Sequence, residues 1–349
     1  MLNLNIKFDK ILINHKLERS LKLKNRDYCS YSNERQTTNP IFISIVSPVY
    51  QAELLVEELI KRITESLIKI TDQYEIILVD DGSADNSWQL IEKNCRKDLH
   101  IRGFKLSRNF GQHSAITAGI SMARGEWIVV MDCDLQDRPE EIVNLLSKSS
   151  EGYDIVLAGR LQRSDTFIKR FFSSFFYKIL SFLSGVPFDS SVANFGIYHK
   201  KVIKAILMMP ERIRFFPAMV NWVGFNKITI PVVHSSRYSG KSSYNFRKQL
   251  KLALDITLAY SDKPLKLIIC LGLIISLGAF ILGFGILVRY LLGHISVLGY
   301  ASLITLICFF SGVIVSVLGV IGLYIGKIFD GIKNRPTYLI MQTTDGDLD

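Results

Sequence analysis

The sequence lacks the cysteine patterns of disulfide-stabilised or zinc-binding proteins. Its five cysteines form no C-x-x-C pair, and two of them, Cys270 and Cys308, lie inside long apolar runs. This usage predicts neither a disulfide framework nor a zinc site, and it fits a reducing compartment. The opening residues, MLNLNIKFDK, also lack an apolar core long enough for a signal peptide. We therefore expect the large N-terminal part of the chain to stay in the cytoplasm.

Charged residues are absent from two long stretches near the C-terminus, residues 268–288 and 301–325. As a helix, each stretch is long enough to cross about 30 Å of hydrocarbon. Two buried core helices are the alternative, but core helices of this length normally keep a polar stripe. The sequence therefore predicts two transmembrane helices within residues 264–328.

Basic residues flank the outer ends of these two stretches. The link between the stretches, residues 289–300, is short, which makes the helices antiparallel neighbours with both outer ends on one side of the membrane. The link carries only Arg289 and a histidine, whereas the outer ends carry Lys263, Lys266, Lys327, Lys333 and Arg335. By the positive-inside rule we predict a multi-pass protein of the cytoplasmic (inner) membrane, with its N-terminal body and its tail, residues 329–349, in the cytoplasm.

The formal net charge of +10 is compatible with nucleic acid, anionic lipid or phosphorylated substrates as partners. No basic stripe with interleaved aromatic residues lies in the polar part of the chain, which disfavours nucleic acid. Membrane lipid is favoured, because the basic and aromatic clusters adjoin the apolar stretches. A channel or transporter is disfavoured, since neither stretch contains a charged group.

Residues 1–40 are polar without a sustained period, which predicts a flexible extension. From residue 41 onward, short apolar segments alternate with segments of helical spacing. This alternation predicts an α/β domain over residues 41–240, with a mostly parallel sheet and helices on both faces. The predicted strands cover residues 41–50, 75–83, 101–107, 126–134 and 154–160, with a further strand and loop beginning at residue 227. The predicted helices cover 54–70, 87–97 and 113–123.

Two basic stretches predict contact with the lipid headgroup layer. The first, FIKRFFSSFFYKILSFLSG over residues 167–185, is aromatic-rich and amphipathic if helical. An ordinary core helix is the alternative there. The second stretch, residues 241–263, leads into the first apolar run, and we predict a juxtamembrane amphipathic segment.

Acidic residues close two of the predicted strands. Asp80 and Asp81 end one strand, and Asp132 and Asp134 end another. Because ligands of such sheets bind beyond the carboxyl ends of the strands, we expect all four at a binding edge. Carboxylates separated by one residue suit Mg²⁺ or Mn²⁺, which commonly bridges protein carboxylates to substrate phosphates. The alternative is an acidic turn without function.

Four segments carry a resemblance to a known family: SIVSPVYQAE, ILVDDGSADNS, KLSRNFGQHSAITAGISMARGEWIVVMDCDLQDRPEEI, and AGR ending at Arg160. With them the chain resembles the family 2 glycosyltransferases of the GT-A fold. Together with the two C-terminal apolar stretches, it is similar to the polyprenyl-phosphate branch, which includes dolichol-phosphate mannose synthases and bactoprenol glucosyltransferases. The resemblance covers residues 40–338.

The resemblance implies roles for particular residues of the donor site. Asp80 and Asp81 would contact the uracil or ribose, and Pro48, Tyr50 and Glu53 would line that pocket. The resemblance also implies a divalent ion bound to the diphosphate, with Asp132, Asp134 and Gln136 as its protein ligands. Asp132 would contact the nucleotide as well.

Further roles follow for the acceptor side. Arg160 would approach the acceptor phosphate or the metal, and Arg237, with Lys241 or Ser242 nearby, would close over the phosphates. The lipid phosphate would be positioned by Lys169, Arg170 and Ser173. One departure stands out, because Asn194 occupies the place where many relatives have an aspartate proposed as base. Asp189, five residues upstream, is a candidate substitute.

The implied reaction is an inverting, metal-dependent transfer of a hexose or pentose. The donor would be a nucleotide sugar, UDP-linked by similarity, and the acceptor a polyprenyl phosphate used in cell envelope polysaccharide synthesis. Two alternatives stay open: transfer onto a lipid-linked saccharide or polysaccharide, and a non-catalytic membrane-anchored binding protein. None of the three tryptophans lies in a Q-x-x-R-W motif, which disfavours the polysaccharide synthase. Gly-rich runs such as LGAFILGFG leave a homo-oligomer open.

Overall fold

A computed structural model describes residues 40–160, 181, 192–211, 213–233, 257, 261–292 and 299–345. The predicted extension, apart from Pro40, and both predicted amphipathic stretches, apart from a few single residues, lie outside this description. The fold described below belongs to the unit Ile41–Asp349.

Eight strands of the described residues form one sheet, in the order β7-β5-β6-β4-β1-β2-β3-β8. The strands are β1 (Ile43–Val49), β2 (Tyr74–Asp80), β3 (Ile101–Leu106), β4 (Trp127–Val130), β5 (Ile155–Arg160), β6 (Val192–His199), β7 (Lys227–Val232) and β8 (Ile340–Thr343). Only β6 and β8 run antiparallel to their neighbours within this sheet. The predicted α/β class with a mostly parallel sheet is confirmed.

Helices cover the two faces of this sheet. They are α1 (Val56–Leu67), α2 (Ser87–Lys97), α3 (Gln112–Met122), a 3₁₀ turn (Pro139–Glu141), α4 (Ile142–Ser149), α5 (Lys200–Met208) and α6 (Phe216–Trp222). Two longer helices follow toward the C-terminus, α7 (Lys263–Leu291) and α8 (Tyr300–Ile332). Strands β1 and β2 are buried at every position, as expected for central parallel strands covered on both sides. Alternate side chains therefore enter two separate cores, so that Ile45 packs on one face and Val46 on the other.

One predicted strand was too long, and two strands were not predicted. Strand β4 ends at Val130, not at Asp134, because the chain turns at Leu135, which has the left-handed φ of 58°. The segment around Asn194 was not assigned, yet it forms β6 and pairs antiparallel with both β4 and β5. The predicted C-terminal tail contains β8, which pairs with β3.

The two C-terminal helices carry unburied apolar side chains. Within the described residues, the segment Phe309–Ile332 is long and apolar enough to cross a membrane, and none of it is buried inside the protein. Helix α7 exposes a similar set of large apolar residues, including Leu273, Phe280 and Phe284. Such surfaces are unfavourable in water. One membrane-spanning candidate is thus present among the described residues.

Candidate active site

The predicted acidic residues converge on the carboxyl edge of the sheet. Strand β1 lies between β2 and β4, so the ends of these three strands are neighbours. Asp80 is the last residue of β2 and pairs with Val49 of β1. Asp132 follows β4 by two residues. The convergence expected from the parallel pattern is therefore present, and it places two carboxylates on each side of β1.

Asp81 holds the loop that follows β3. Its Oδ1 accepts a hydrogen bond from the Phe110 backbone N–H at 2.7 Å, and its Oδ2 accepts one from the Gly111 N–H at 2.9 Å. Burial raises the pKa of this carboxyl, and the two backbone donors partly oppose that rise. Charge-assisted bonds of this kind are stronger than neutral ones. Asp81 therefore fixes Phe110 and Gly111, the end of this loop, against the end of β2.

Asp80 is completely buried and stabilises the turn after β2. The Ser83 backbone N–H lies 3.3 Å from each of its carboxylate oxygens. Burial raises the pKa of Asp80, whereas the bonds from Ser83 lower it. Both acids of this pair are thus buried and bonded to backbone groups of neighbouring loops. Their contact with a nucleotide stays a prediction.

Gly82 allows the turn after β2 to pack directly on the loop after β3. Its φ is +68°, and a Cβ built there would lie 2.5 Å from the carbonyl carbon of Arg108 and 2.7 Å from the backbone nitrogen of Asn109. Both obstacles are backbone atoms, so neither is able to yield as a flexible side chain does. The guanidinium of Arg108 lies over the Phe110 ring, 4.4 Å from its centroid. Glycine is therefore required at this contact.

The loop after β1 is joined to the loop after β2. The Gln51 N–H donates to Ser83 Oγ at 3.0 Å, and Glu53 exchanges bonds with the Asp85–Asn86 segment. Tyr50 is 47% exposed, whereas Pro48 is buried within β1. Of the three residues predicted to line a nucleotide pocket, Tyr50 and Glu53 thus lie on the rim formed by this loop, whereas Pro48 lies inside the sheet.

Asp132 lies between two amide side chains. Gln112 Nε2 donates to Asp132 Oδ1 at 2.6 Å, and Asn194 Nδ2 lies 3.5 Å from the same oxygen. Continuing the antiparallel register of β4 and β6, in which Val130 pairs with Gly196, places Asn194 opposite Asp132. The residue that departs from the family pattern is therefore beside the first acid of the D-x-D turn.

Asp134 follows Asp132 by two residues. Its Oδ1 accepts a hydrogen bond from the Gln136 backbone N–H at 3.1 Å. Between the two acids, Cys133 is contacted by the Tyr50 backbone N–H, and burial, with the two neighbouring carboxylates, raises the pKa of its thiol to about 12. This contact joins the D-x-D turn to the rim formed by the loop after β1. Asp132 and Asp134 are both partly exposed.

The donor set fits a divalent ion that is shared with a substrate. Among the described residues, no three or more His, Cys, Asp or Glu side chains form a metal-binding group. A protein-only cage is therefore not formed by them. Mg²⁺ and related ions, however, are commonly held by one or two carboxylates with water and substrate phosphates as the other ligands. Two partly exposed carboxylates on a turn fit that mode of binding.

Several predicted site residues lie outside the described part of the molecule. Arg160 ends β5, and its backbone lies at the carboxyl edge, but its side chain is not described. The residues outside the described ranges are Lys169, Arg170, Ser173, Asp189, Arg237, Lys241 and Ser242.

The sequence-based reasoning gave no role to Gln112 or to the Phe110 and Gly111 backbone. All three lie in the segment SRNFGQ, which carried part of the family resemblance. This segment follows a strand of the same parallel sheet, and that position is the signal in the sequence that would have indicated a place at the binding edge.

Comparisons with known proteins identify the family of the chain. Residues 44–207 match the family model described as glycosyl transferase family 2. The chain is 36% identical over 301 residues to "Uncharacterized glycosyltransferase YkcC" of Bacillus subtilis (strain 168), covering 86% of this chain and 93% of that protein. It is also 36% identical over 316 residues to "Undecaprenyl-phosphate 4-deoxy-4-formamido-L-arabinose transferase" of Shewanella sediminis (strain HAW-EB3), covering 90% and 96%.

A solved structure shows a weaker likeness. The mannosyltransferase PcManGT from Pyrobaculum calidifontis, in complex with GDP-Man and Mn²⁺, is 15% identical, with 70% of each chain covered and a TM-score of 0.45.

The fold and the sequence relatives together define a class. The domain is an α/β unit of GT-A type, whose mostly parallel sheet carries acids at its carboxyl edge. The chain belongs to glycosyl transferase family 2 and is a glycosyltransferase. The resemblance inferred from the sequence is confirmed.

Proposed function

We propose that this glycosyltransferase transfers a sugar from a nucleotide sugar to a polyprenyl phosphate at the cytoplasmic face of the membrane. The observation that carries the proposal is one chain with both a GT-A-type acidic edge and exposed apolar C-terminal helices. The name of the Shewanella relative, an undecaprenyl-phosphate transferase, supports an acceptor of this class. A UDP-linked donor is proposed from similarity alone.

Asp132 and Asp134, with Gln136, would hold Mg²⁺ or Mn²⁺ on the donor diphosphate. A bound divalent ion there would neutralise the charge that builds on the departing nucleotide. The chain's own task is to keep the two carboxylates in place, and Gln112 and the Gln136 N–H do this through hydrogen bonds at 2.6 and 3.1 Å. Tyr50 and Glu53 would bound the nucleotide on the opposite rim.

A strong base at position 194 is not needed for this reaction. A phosphate monoester has a second pKa near 6, so the acceptor phosphate is already a nucleophile at pH 7. Its oxygen would attack the anomeric carbon from the face opposite the nucleotide, forming the C–O bond as the bond to the diphosphate breaks. One displacement of this kind inverts the configuration. Asn194, an amide beside Asp132, fits a site whose nucleophile requires no deprotonation.

The acceptor side is proposed from the resemblance. Arg160, Arg237, Lys241 and Ser242 would bind phosphates, and Lys169, Arg170 and Ser173 would position the lipid phosphate at the headgroup layer. Asp189 is retained as the alternative base. Arginine suits such a place because its fork of N–H donors matches phosphate oxygens.

We also propose that α7 is a second membrane span, antiparallel to α8. Between Lys266 and Arg289 its sequence contains no charged residue, and its described apolar side chains are largely exposed. Lys263 and Lys266 before α7, and Lys327 and Lys333 near the end of α8, would lie at the cytoplasmic face. The catalytic domain over residues 41–240 and both termini would then be cytoplasmic, with residues 241–263 at the bilayer surface.

A labelling experiment tests the acceptor class. Membranes containing the protein are incubated with a set of radiolabelled nucleotide sugars and extracted with organic solvent. We expect label in a lipid from which mild acid releases the sugar, and only with the correct donor. Label in an insoluble polymer would indicate a polysaccharide synthase instead. No incorporation with any donor, beside an active control transferase, would indicate a non-catalytic binding protein.

A further inference from the structure

We propose that the C-terminal strand β8 is a tether that holds the donor-binding edge of the sheet close to the membrane. This inference rests on the function proposed above. It concerns residues 333–345, which connect the end of α8 to β3. Three features of this segment support the proposal. They are the place where it enters the sheet, the strength of its attachment to the sheet, and the short length of chain between α8 and β8.

The segment enters the sheet at the carboxyl edge. Ile340, the first residue of β8, pairs with Leu106, the last residue of β3, and the strand then runs antiparallel toward Phe104. Just before it, the Leu339 carbonyl accepts a hydrogen bond from the Ser107 N–H at 2.9 Å. Ser107 begins the loop that Asp81 holds at its other end. The chain arriving from α8 therefore contacts the loop of the candidate donor site directly.

The far end of β8 is fixed by an ion pair between the buried Arg102 and the partly exposed Asp345. Arg102 of β3 donates to Asp345 through Nε at 2.8 Å and also contacts Glu75 of β2 at 2.7 Å. Arg102 and Glu75 are 8% and 2% exposed. Asp345 is the acceptor for the Nε and Nη2 groups of Arg102, whereas Nη1 bonds to Glu75, so loss of Asp345 would leave two donors of a buried guanidinium without this acceptor. Loss of the Asp345 contact is therefore unfavourable, and β8 stays on the sheet.

Three further hydrogen bonds hold the segment along its length. The Gly103 N–H donates to Thr344 Oγ1 at 2.8 Å, and the Thr344 N–H donates to the Gly103 carbonyl at 3.0 Å. Tyr338 Oη lies 2.9 Å from Ser121 Oγ on α3. The segment thus bonds to β3 and to the helix that begins with Gln112. The same helix carries the amide that orients Asp132.

The connection to the membrane helix is short. Helix α8 ends at Ile332 and β8 begins at Ile340. Even fully extended, these residues span at most about 27 Å. The headgroup layer adds only about 5–8 Å beyond the hydrocarbon on each side. With α8 in the membrane, the carboxyl edge at Leu106 is consequently restricted to the neighbourhood of the lipid phosphates.

The tether limits the distance between this edge of the sheet and a membrane-embedded acceptor. A polyprenyl phosphate presents its reactive oxygen at the headgroup layer, so its encounter with the donor site depends on the distance between that site and the headgroup layer. A short-chain prenyl phosphate dissolved in water does not depend on it. The two acceptors therefore separate a tethering role from a merely structural one.

The experiment lengthens the tether without removing β8. A flexible linker of about 12 Gly and Ser residues, with a root-mean-square length of about 20 Å, is inserted between Pro336 and Thr337 in the full-length protein. The matched control carries the same linker after Asp349, where it leaves the distance from α8 to β8 unchanged. Both are compared with the wild type for kcat/KM on undecaprenyl phosphate in liposomes and on a short-chain prenyl phosphate in solution, and for UDP binding.

We expect the insertion to lower kcat/KM on the liposome acceptor by about tenfold, since a longer linker lowers the effective concentration of the site at the membrane. Transfer to the soluble acceptor and UDP binding should change by less than about twofold. An unchanged liposome rate, or an equal loss on both acceptors, would overturn the tether. If the wild type uses neither acceptor, the proposed function itself fails, and the tether fails with it.

Discussion

The Gln112 side-chain amide lies 2.6 Å from Oδ1 of Asp132 and joins the start of α3 to the D-x-D turn. Asp81 holds the two residues immediately before Gln112, Phe110 and Gly111, through their backbone N–H groups. The acids at the two strand ends are therefore connected through one loop. A change at either end is expected to reach the other.

Removing the amide of Gln112 tests this connection. In Gln112→Ala, Asp132 loses a donor whose bond to a charged group is worth about 1.5–3 kcal/mol. We expect the concentration of Mg²⁺ or Mn²⁺ required for half-maximal transfer to rise about tenfold or more. Steady-state metal titrations measure it. Gln89→Ala, on the exposed side of α2, is the control, and an equal response of the two variants would contradict the assignment.

Asn194 is expected to matter through its lack of charge. In Asn194→Asp a second carboxylate would face Asp132 at about the present separation of 3.5 Å. Two carboxylates this close raise the pKa of the pair, so a proton is taken up at a higher pH than usual. Activity that needs ionised Asp132 is then lost earlier as the pH falls.

The pH–rate profile of kcat/KM measures this effect. We expect the acidic limb of Asn194→Asp to lie about one unit or more above that of the wild type. Asn194→Ala, which adds no charge, should keep the wild-type limb. Higher activity of Asn194→Asp with an unshifted limb would instead show that the site works better with a base at this position.

Gly82 and Gly152 form a matched pair for testing the backbone contact at the site. Both have a positive φ, +68° and +96°, but only a Cβ at Gly82 would meet backbone atoms, whereas nothing lies within 4 Å at Gly152. Each alanine variant bears a left-handed backbone cost of about 1–2 kcal/mol. We therefore expect lower melting temperatures for both variants, but a large loss of donor binding only for Gly82→Ala. Calorimetric UDP titration measures it, and equal affinities would count against the tight contact.

The buried His113 is expected to make the folding stability of the protein depend on pH. Its Nδ1 is buried without a hydrogen-bond partner, its ring packs edge-on against Phe215, and burial lowers its pKa from 6.5 to about 4. Between these values the unfolded chain binds a proton that the folded protein does not, so stability falls as the pH drops from 6.5 toward 4 and is unaffected by this group above 6.5. Melting temperatures across this range should fall less steeply for His113→Leu than for the wild type. Equal slopes of melting temperature against pH for the two proteins would contradict this role of His113.

The sequence predicted the part of the fold that depends on local pattern. Apolar strands alternating with amphipathic helices predicted the parallel core, and the acids behind two of the strands predicted the edge where Asp80 and Asp132 lie. The sequence did not predict β6 or β8, because both join the sheet by pairing with residues distant along the chain. No local period in ANFGIY or in the four residues of β8 indicates which strand will be the partner.

The hydrogen-bond partners of each acid could also not be predicted from the sequence. Asp81 bonds to the Phe110 and Gly111 backbone, and a residue pattern does not specify the donors that a carboxylate will find. The strand ending at Val130 was predicted too long for a related reason. The residues MDCD continue the alternation, but Leu135 turns the chain, and turn geometry competes with strand propensity only once the surrounding loops are in place.

The most direct test is a single transfer measurement with purified protein. Wild type and Asp134→Asn are incubated with the labelled donor and undecaprenyl phosphate in liposomes, with Mg²⁺ or Mn²⁺ and with a chelator. We predict metal-dependent label in the lipid for the wild type and a loss of at least about 100-fold for Asp134→Asn, with both proteins equally membrane-bound. Full wild-type activity in the chelator, or full activity of Asp134→Asn, would contradict the account.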